Sequence, residues 1–270
     1  MKIIKELSIK EEQQIQLNIL KYFDEICRKE KLSYYLAYGT LLGAAREKGF
    51  ISWDDDIDLW MMREDYDKFN SIFHKYQTKE YFLQNVSTDP NMVVPSMTRI
   101  CVNETYKWPF GCEKEKFHTG IYFDIFPLDF GTNNSNNNKK RIKHSARYHS
   151  MLWDKLKIAH KMYSFKDKLF VLVARAFPRP IINYLLLKIV KKRKNYNDKV
   201  LICYPASGIF PNNVYDARLF EKIVYLEFED IKCPCPSGYE ELLTQRYGDW
   251  KIPAKTKPVH VPAFVIKVDI

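Results

Sequence analysis

Apolar side chains recur three and four positions apart from Ile15 through Ile19, Tyr22, Phe23, Ile26 and Cys27, which predicts an amphipathic helix. Ser8 followed by Glu11 supplies a capping box at its start. "SYYLAYG" reads as a strand, "TLLGAAREKGF" as a short helix stopping at Gly49, and the alternating "DIDLWMM" as a second strand. "REDYDKFNSIFHKY" returns to helical spacing. "VVPSMTRICV" and "GIYFDIFPLDF" predict two further strands, separated by the aromatic loop "ETYKWPFGC". Near the end, "VYDARLFEKIVYLEFEDIKCPCP" predicts a hairpin and "SGYEELLTQRYGDW" a capped closing helix. No internal repeat interrupts this order.

Strands and helices mixed in this way predict an α/β (α+β) fold, a mixed sheet with flanking helices. The polar, Asn-rich "GTNNSNNNKK", Gly131 to Lys140, is the best internal boundary and is expected to be a linker. Charge changes there as well. The chain of 270 residues carries +10 overall, but 18 Lys/Arg against 3 Asp/Glu lie between Lys139 and Lys199, a local +15. The remainder is −5. Three parts follow: a catalytic core at 1–130, a basic, mostly helical lobe at 131–200, and a segment at 201–270 that completes the catalytic domain. The lobe suggests an anionic partner. Its most apolar run, "LFVLVARAFPRPIINYLLLKIVKKRKN", is broken by Arg and Pro into pieces too short to span a bilayer. It either packs on the body or lies on a membrane surface. No window of eighteen apolar residues and no signal peptide is evident, so the expected location is cytoplasmic, peripheral at the inner face of the plasma membrane if the lobe docks there. The six cysteines are too scattered for a disulfide scaffold, and Cys101, Cys112 and His118 fit no zinc spacing, so buried thiols are expected.

The chemistry concentrates in "GFISWDDDIDLWM", where Asp54, Asp55, Asp56 and Asp58 fall within five positions. On a strand, Asp56 and Asp58 share a face about 7 Å apart while Ile57 and Leu59 point into the core. Clustered carboxylates repel one another unless a cation lies between them, and Mg²⁺ is the hard, oxygen-seeking choice, with Mn²⁺ as its alternative. A calcium loop fits poorly, because Leu59 stands where glycine is needed. An acidic turn and a metal-binding glycosyltransferase Asp-x-Asp are weaker rivals. Upstream, Gly39 and Thr40 sit at a strand end before a helix, where backbone N–H groups can meet a phosphate, with Arg46 further on. Downstream, Asp124 lies between two large apolar residues. Gly-Thr, Asp-Ile-Asp and a later isolated Asp form the pattern of a two-metal phosphoryl or nucleotidyl transfer site. Arg99 in "MTRI" is a candidate phosphate clamp or a surface arginine.

"YYLAYGTLLGAAREKGFISWDDDIDLWMMREDYDKF", "HTGIYFDIFPLDF" and "CPSGYEELLTQRYGDWKIPAKTKPVHV" together resemble the LicD family, which includes bacterial phosphocholine transferases and relatives of fukutin. The resemblance covers nearly the whole chain in order. It implies the nucleotidyltransferase superfamily typified by DNA polymerase beta, hence a nucleotidyltransferase-type mixed sheet and a Mg²⁺-dependent site. It also implies transfer of phosphocholine from CDP-choline to a hydroxyl of a lipid-linked or nucleotide-linked glycan precursor, of teichoic acid or lipopolysaccharide type, with release of CMP. Asp56, Asp58 and Asp124 match the family's acidic positions as metal ligands and catalytic groups, and Asp124 serves as base or as ligand. Arg46 matches a family arginine. Tyr247, Gly248 and Asp249 match a terminal motif that a helix C-cap at Gly248 explains. Two positions depart from the pattern: Trp60-Met61-Met62 replaces a small or apolar residue followed by Met-Pro, and Glu47 replaces a frequent His. Either bears on the donor or the acceptor, and transferases of other phosphorylated groups or of nucleotide-sugars are the alternatives. Tyr106, Trp108 and Phe110 are candidates for an aromatic cage around choline. No nucleic-acid partner is expected.

Overall fold

The computed structural model describes residues 2–107, 116–132, 135–154, 176–190, 199–205, 213–253 and 262–267. In chain order the elements are β1 (Lys2–Leu7), α1 (Ile9–Glu30), β2 (Tyr35–Leu36), α2 (Tyr38–Arg46), β3 (Asp58–Met62), α3 (Arg63–Ile72), β4 (Tyr81–Gln84), β5 (Thr98–Val102), β6 (Thr105–Tyr106) and β7 (Tyr122–Phe130). They continue with α4 (Ser135–Asp154), α5 (Arg179–Val190), β8 (Val200–Ile202), β9 (Val214–Asp216), β10 (Ile223–Phe228), β11 (Ile231–Pro236), α6 (Tyr239–Tyr247) and β12 (Ala263–Lys267). This is a mixed α+β fold, as the sequence pattern predicts.

The main sheet runs β2-β3-β7-β5-β4. β3 and β7 are parallel and the other neighbours antiparallel. β7 is the axis of the sheet: Phe123, Ile125 and Leu128 are fully buried, which suits a strand covered on both faces. Its last residues pair with β8, and β8 pairs with β9. Helix α1 covers one face with Ile19, Leu20 and Phe23. The Phe23 ring meets Tyr34, Phe69 and Phe123 edge-on, at centroid distances of 5.1, 5.0 and 5.3 Å. The capping box at Ser8 and Glu11 forms as expected. The β10–β11 hairpin and the helix ending at Gly248, whose φ of +67 only glycine adopts freely, also follow the prediction.

Three expectations give way. Helix α2 begins at Tyr38 and ends at Arg46, so Gly39 and Thr40 lie in its first turn rather than at a strand end. It stops before Gly49: after the last helical bond, from Glu47 N–H to the Gly43 carbonyl at 2.8 Å, Lys48 adopts φ +60 and the Gly49 N–H turns back onto the same carbonyl at 3.4 Å. The Asn-rich stretch is no linker from Ser135 onward, since it forms the first turns of α4. There Asn138 accepts from Thr132 N at 2.9 Å and donates to Thr132 O at 2.6 Å, tying the helix start to the chain just beyond β7. β1, β12 and β6 form an unforeseen second sheet.

α4 and α5 are helical, as expected of the lobe, and pack on each other through Leu152, Ile182, Leu186 and Val190. The same cluster includes Ile202 of β8 and Tyr204, so this part of the apolar run packs against the body. Ser96 and His149 Nε2 share a buried hydrogen bond of 2.8 Å, and Arg179 donates to the Asn91 carbonyl at 2.6 Å. Cys27, Cys101, Cys203, Cys233 and Cys235 are buried free thiols. Cys101 bonds Gln84, and His118 bonds Asn103 and Gly120 N, while Cys112 lies outside the described residues. Among the described residues, no helix is long and apolar enough to cross a membrane.

Candidate active site

The aspartate loop is held largely through its backbone carbonyls. Gln13 of α1 donates to the carbonyls of Asp54, at 2.8 Å, and Ile51, at 3.3 Å, and Gln16 donates to that of Asp55 at 2.5 Å. Lys107, just beyond β6, also donates to the Asp55 carbonyl. At the start of β3 the Asp58 N–H donates to Thr40 Oγ1 at 2.8 Å, and the Ala37 N–H donates to the Asp58 carbonyl at 2.9 Å. Thr40 therefore fixes the backbone of Asp58. Gly39 makes room: a Cβ there would stand 2.7 Å from Asp54 Oδ2.

Oxygens of Asp54, Asp55 and Asp56 all lie within 4.8 Å of one another. Sheet register brings in the rest. Asp58 on β3 is the direct partner of Asp124 on β7, and Asp124 is the partner of Arg99 on β5. Register partners point to the same face, so three adjacent strands present Asp58, Asp124 and Arg99 side by side. Arg99 Nε donates to Asp124 Oδ1 at 2.7 Å, and its guanidinium stacks 3.9 Å from the Tyr122 ring centre. Arg99 is thus a buried partner of a candidate catalytic carboxylate, and the surface-arginine alternative is excluded.

Burial drives the acidity of this cluster. It pushes the Asp54 carboxyl up to about 8, aided by Asp56 and Asp55. Burial likewise raises Asp58 well above the ordinary carboxylate range, with Asp56, Asp124 and Asp54 adding repulsion and Arg246 opposing it. Asp56 and Asp124 are raised by burial too, against the pull of Lys107 and Arg99 respectively. An all-oxygen set of carboxylates that repel one another this strongly fits a hard divalent cation.

Not every expected residue joins the cluster. Arg46 sits at the far end of α2, where it donates to Glu47 Oε1 at 2.8 Å and to the Trp250 carbonyl at 3.1 Å. Tyr106 is buried beside Phe264, Phe117 and Ile266 in a small separate core, which withdraws it from a cage for choline. Trp108 and Phe110 lie outside the described residues.

Other residues join unannounced. Lys107 is buried, with Nζ 2.6 Å from Glu12 Oε1 and 3.7 Å from Asp55 Oδ1. Burial alone would lower its pKa, yet Tyr122, Glu12 and Asp55 hold it above the ordinary lysine value. Glu12 and Gln16 were legible in principle: they lie on the helical stripe that continues through Ile19, Leu20 and Phe23, where polar residues call for buried partners. Tyr38, at the entry to α2, has φ +46. Packing sustains this costly conformation: its ring lies 4.9 Å from Trp60 and 5.5 Å from Phe126, with the Arg246 guanidinium 4.2 Å above it.

Residues 31–177 match the family described as LicD/FKTN/FKRP, nucleotidyltransferase domain. The lipopolysaccharide cholinephosphotransferase LicD of Haemophilus influenzae is 29% identical over 274 residues, covering 96% of this chain and 98% of that protein. An uncharacterised protein of Rickettsia typhi is 30% identical over 128 residues, 47% of this chain and 38% of its own length. The family match spans more than half of the chain and takes in Gly39 and Thr40, the aspartate loop and Asp124 together, so this protein belongs to the LicD family.

Proposed function

We propose that this protein is an enzyme that transfers phosphocholine from CDP-choline to a hydroxyl of a cell-surface glycan precursor, of lipopolysaccharide or teichoic acid type, releasing CMP. The observation that carries the reading is the acidic cluster of Asp54, Asp56, Asp58 and Asp124 in a chain related over nearly its whole length to a lipopolysaccharide cholinephosphotransferase. The nucleotidyltransferase superfamily is the natural setting for such a site. In the reaction the acceptor oxygen bonds to the choline-bearing phosphorus, and the bridging P–O bond to CMP breaks with its electron pair going to CMP. Asp124 takes the acceptor proton, and Arg99 holds that carboxylate in place from the neighbouring strand. Asp56 and Asp58, with Asp124 and Asp54 beside them, are the residues that would hold Mg²⁺, or Mn²⁺ in its stead. When bound, the cation supplies neutralisation of the phosphate charge. Gln13, Gln16, Thr40 and Lys107 keep the carboxylates in register.

Calorimetric titration of CDP-choline, with and without Mg²⁺, followed by assay of CMP release, tests this. Binding and CMP release that both require the cation are expected. Cation-dependent binding of a nucleotide-sugar, with release of a nucleoside diphosphate and no response to CDP-choline, would install the glycosyltransferase alternative instead.

Residues 1–130 and 201–270 form the catalytic part in this reading, and the basic 131–200 lobe carries the enzyme to lipid-linked acceptors at the inner membrane face. Phe177, Ile181 and Tyr184 are exposed along α5 and its entry, at 43, 46 and 63%, with Lys188 next on the same face. An apolar stripe on a +15 segment suits an anionic lipid surface. Cosedimentation with phosphatidylserine vesicles at low salt is expected, and to weaken several-fold in Ile181→Asp/Tyr184→Asp. Equal partition onto zwitterionic vesicles, or none onto anionic ones, rules the docking out.

A further inference from the structure

A cavity of about 790 Å³ opens beside the aspartates, between α2, β3, α4, β9 and α6. Its volume lies in the range of small-molecule sites. Tyr38, Trp60 and Tyr215 supply aromatic wall, and Lys139, Lys143 and Arg246 supply charge. No carboxylate is found among the described residues that line it.

Its position relative to the acidic cluster follows from the chain. Trp60 lies two residues beyond Asp58, hence on the same face of β3 and about 7 Å along it. Tyr38 immediately precedes Gly39, against which the Asp54 carboxylate rests. Arg246, in the last turn of α6 and lining the cavity, acts electrostatically on Asp58. The cavity therefore meets the aspartates along one edge, with Arg246 at the junction.

The geometry points to this cavity as the seat of the nucleotide half of the donor, with Arg246 as the residue that binds its phosphate. The inference rests on the reading of the protein as a CDP-choline-dependent transferase. Its argument is charge. A quaternary ammonium meets three cations here, and Arg246 already lies over the Tyr38 ring that a choline would seek. A nucleoside phosphate reverses each term. Its phosphate accepts charge-assisted N–H bonds from the guanidinium. Its flat base finds the apolar and aromatic wall on which bases stack. Lys139 and Lys143, exposed on α4, attract the same anion at the rim. The donor is thereby oriented, with CMP in the cavity, the reacting phosphorus at the aspartates, and the choline outside. Part of the basic lobe, the α4 face, then belongs to the donor site.

The test is calorimetric binding of CMP, phosphocholine and choline to the full chain, together with turnover of CDP-choline. CMP is expected to bind, phosphocholine and choline not to compete with it, and Arg246→Gln to weaken CMP roughly 10–100-fold. Arg246→Lys should recover part of that loss. Lys143→Gln, on an exposed helix face that leaves the fold intact, should weaken CMP about threefold, with a salt dependence smaller than that of the wild type. If CDP-choline is turned over but CMP affinity is the same in Arg246→Gln and Lys143→Gln as in the wild type, the cavity assignment is wrong and the transferase reading stands. Competition by phosphocholine at the CMP site also overturns it. Neither turnover of CDP-choline nor binding of CMP by the wild type overturns both.

Discussion

Asp58→Asn lowers CMP release from CDP-choline by about 10³-fold or more, and it does so in a protein at least as stable as the wild type. The first half follows from position. Asp58 is the register partner of Asp124 and interacts electrostatically with Asp56 and Asp54, which in the proposed reaction makes it one of the carboxylates that would hold the cation. An amide offers one neutral acceptor and a donor that repels a cation, and electrostatic terms of this kind are usually the largest in catalysis. The second half follows from repulsion. Burial and three neighbouring carboxylates all disfavour the charged form of Asp58, while Arg246 is the opposing influence. An amide resembles the neutral carboxyl that burial and repulsion favour, so the melting temperature is expected to be unchanged or higher by up to roughly 2–4 °C, about 1 kcal/mol. Activity and thermal unfolding measured on one preparation check both. Lost activity with a melting temperature several degrees lower would mean that Asp58 serves the fold, and the catalytic reading of the cluster would fall.

Lys107→Met has the opposite profile: a large loss of stability, with activity following. The Lys107 ammonium lies 2.6 Å from Glu12, which is fully buried, and bonds the backbone of Asp55. Removing it takes the ammonium from the buried Glu12 carboxylate and from the neighbouring Asp55. Breaking a buried ion pair from one side costs about 3–5 kcal/mol, on the order of 10 °C in melting temperature for a chain of this size. The double variant Glu12→Gln/Lys107→Met should regain most of the loss, because a neutral pair has no uncompensated charge to bury. A Lys107→Met protein that melts with the wild type would show that the aspartate loop is held without this ion pair. The two experiments separate the proposed roles, chemistry for Asp58 and support of the aspartate loop for Lys107.

Much of this was legible in the chain. Alternation in "DIDLWMM" correctly put Leu59 in the core and Asp58 on the other face, because a strand has a period of two. The strand starts only at Asp58, so Asp56 and the buried Ile57 lie in the loop before it rather than on a shared strand face. The capping box of α1, the β10–β11 hairpin and the glycine that ends α6 were local events, decided by residues a few positions apart. Gly39, expected at a strand end, stands instead in the first turn of α2, where it yields space to Asp54. Arg46 and Tyr106 misled because residue type and spacing say nothing about direction. One turns to Trp250 and the other into a small core closed by Phe264.

The sequence by itself determined many of the elements, the carboxylates and the basic stretch, since periodicity, capping and local charge act over a few residues. Tertiary structure alone decided which distant groups meet them. Register across three strands set Asp58 beside Asp124 and Arg99. The packing of α1 brought Glu12, Gln13 and Gln16 under the aspartate loop, and the folding back of α6 carried Arg246 to the Tyr38 ring. Such contacts join residues tens to hundreds of positions apart, and their partners are selected by buried charge and shape, which no local pattern encodes.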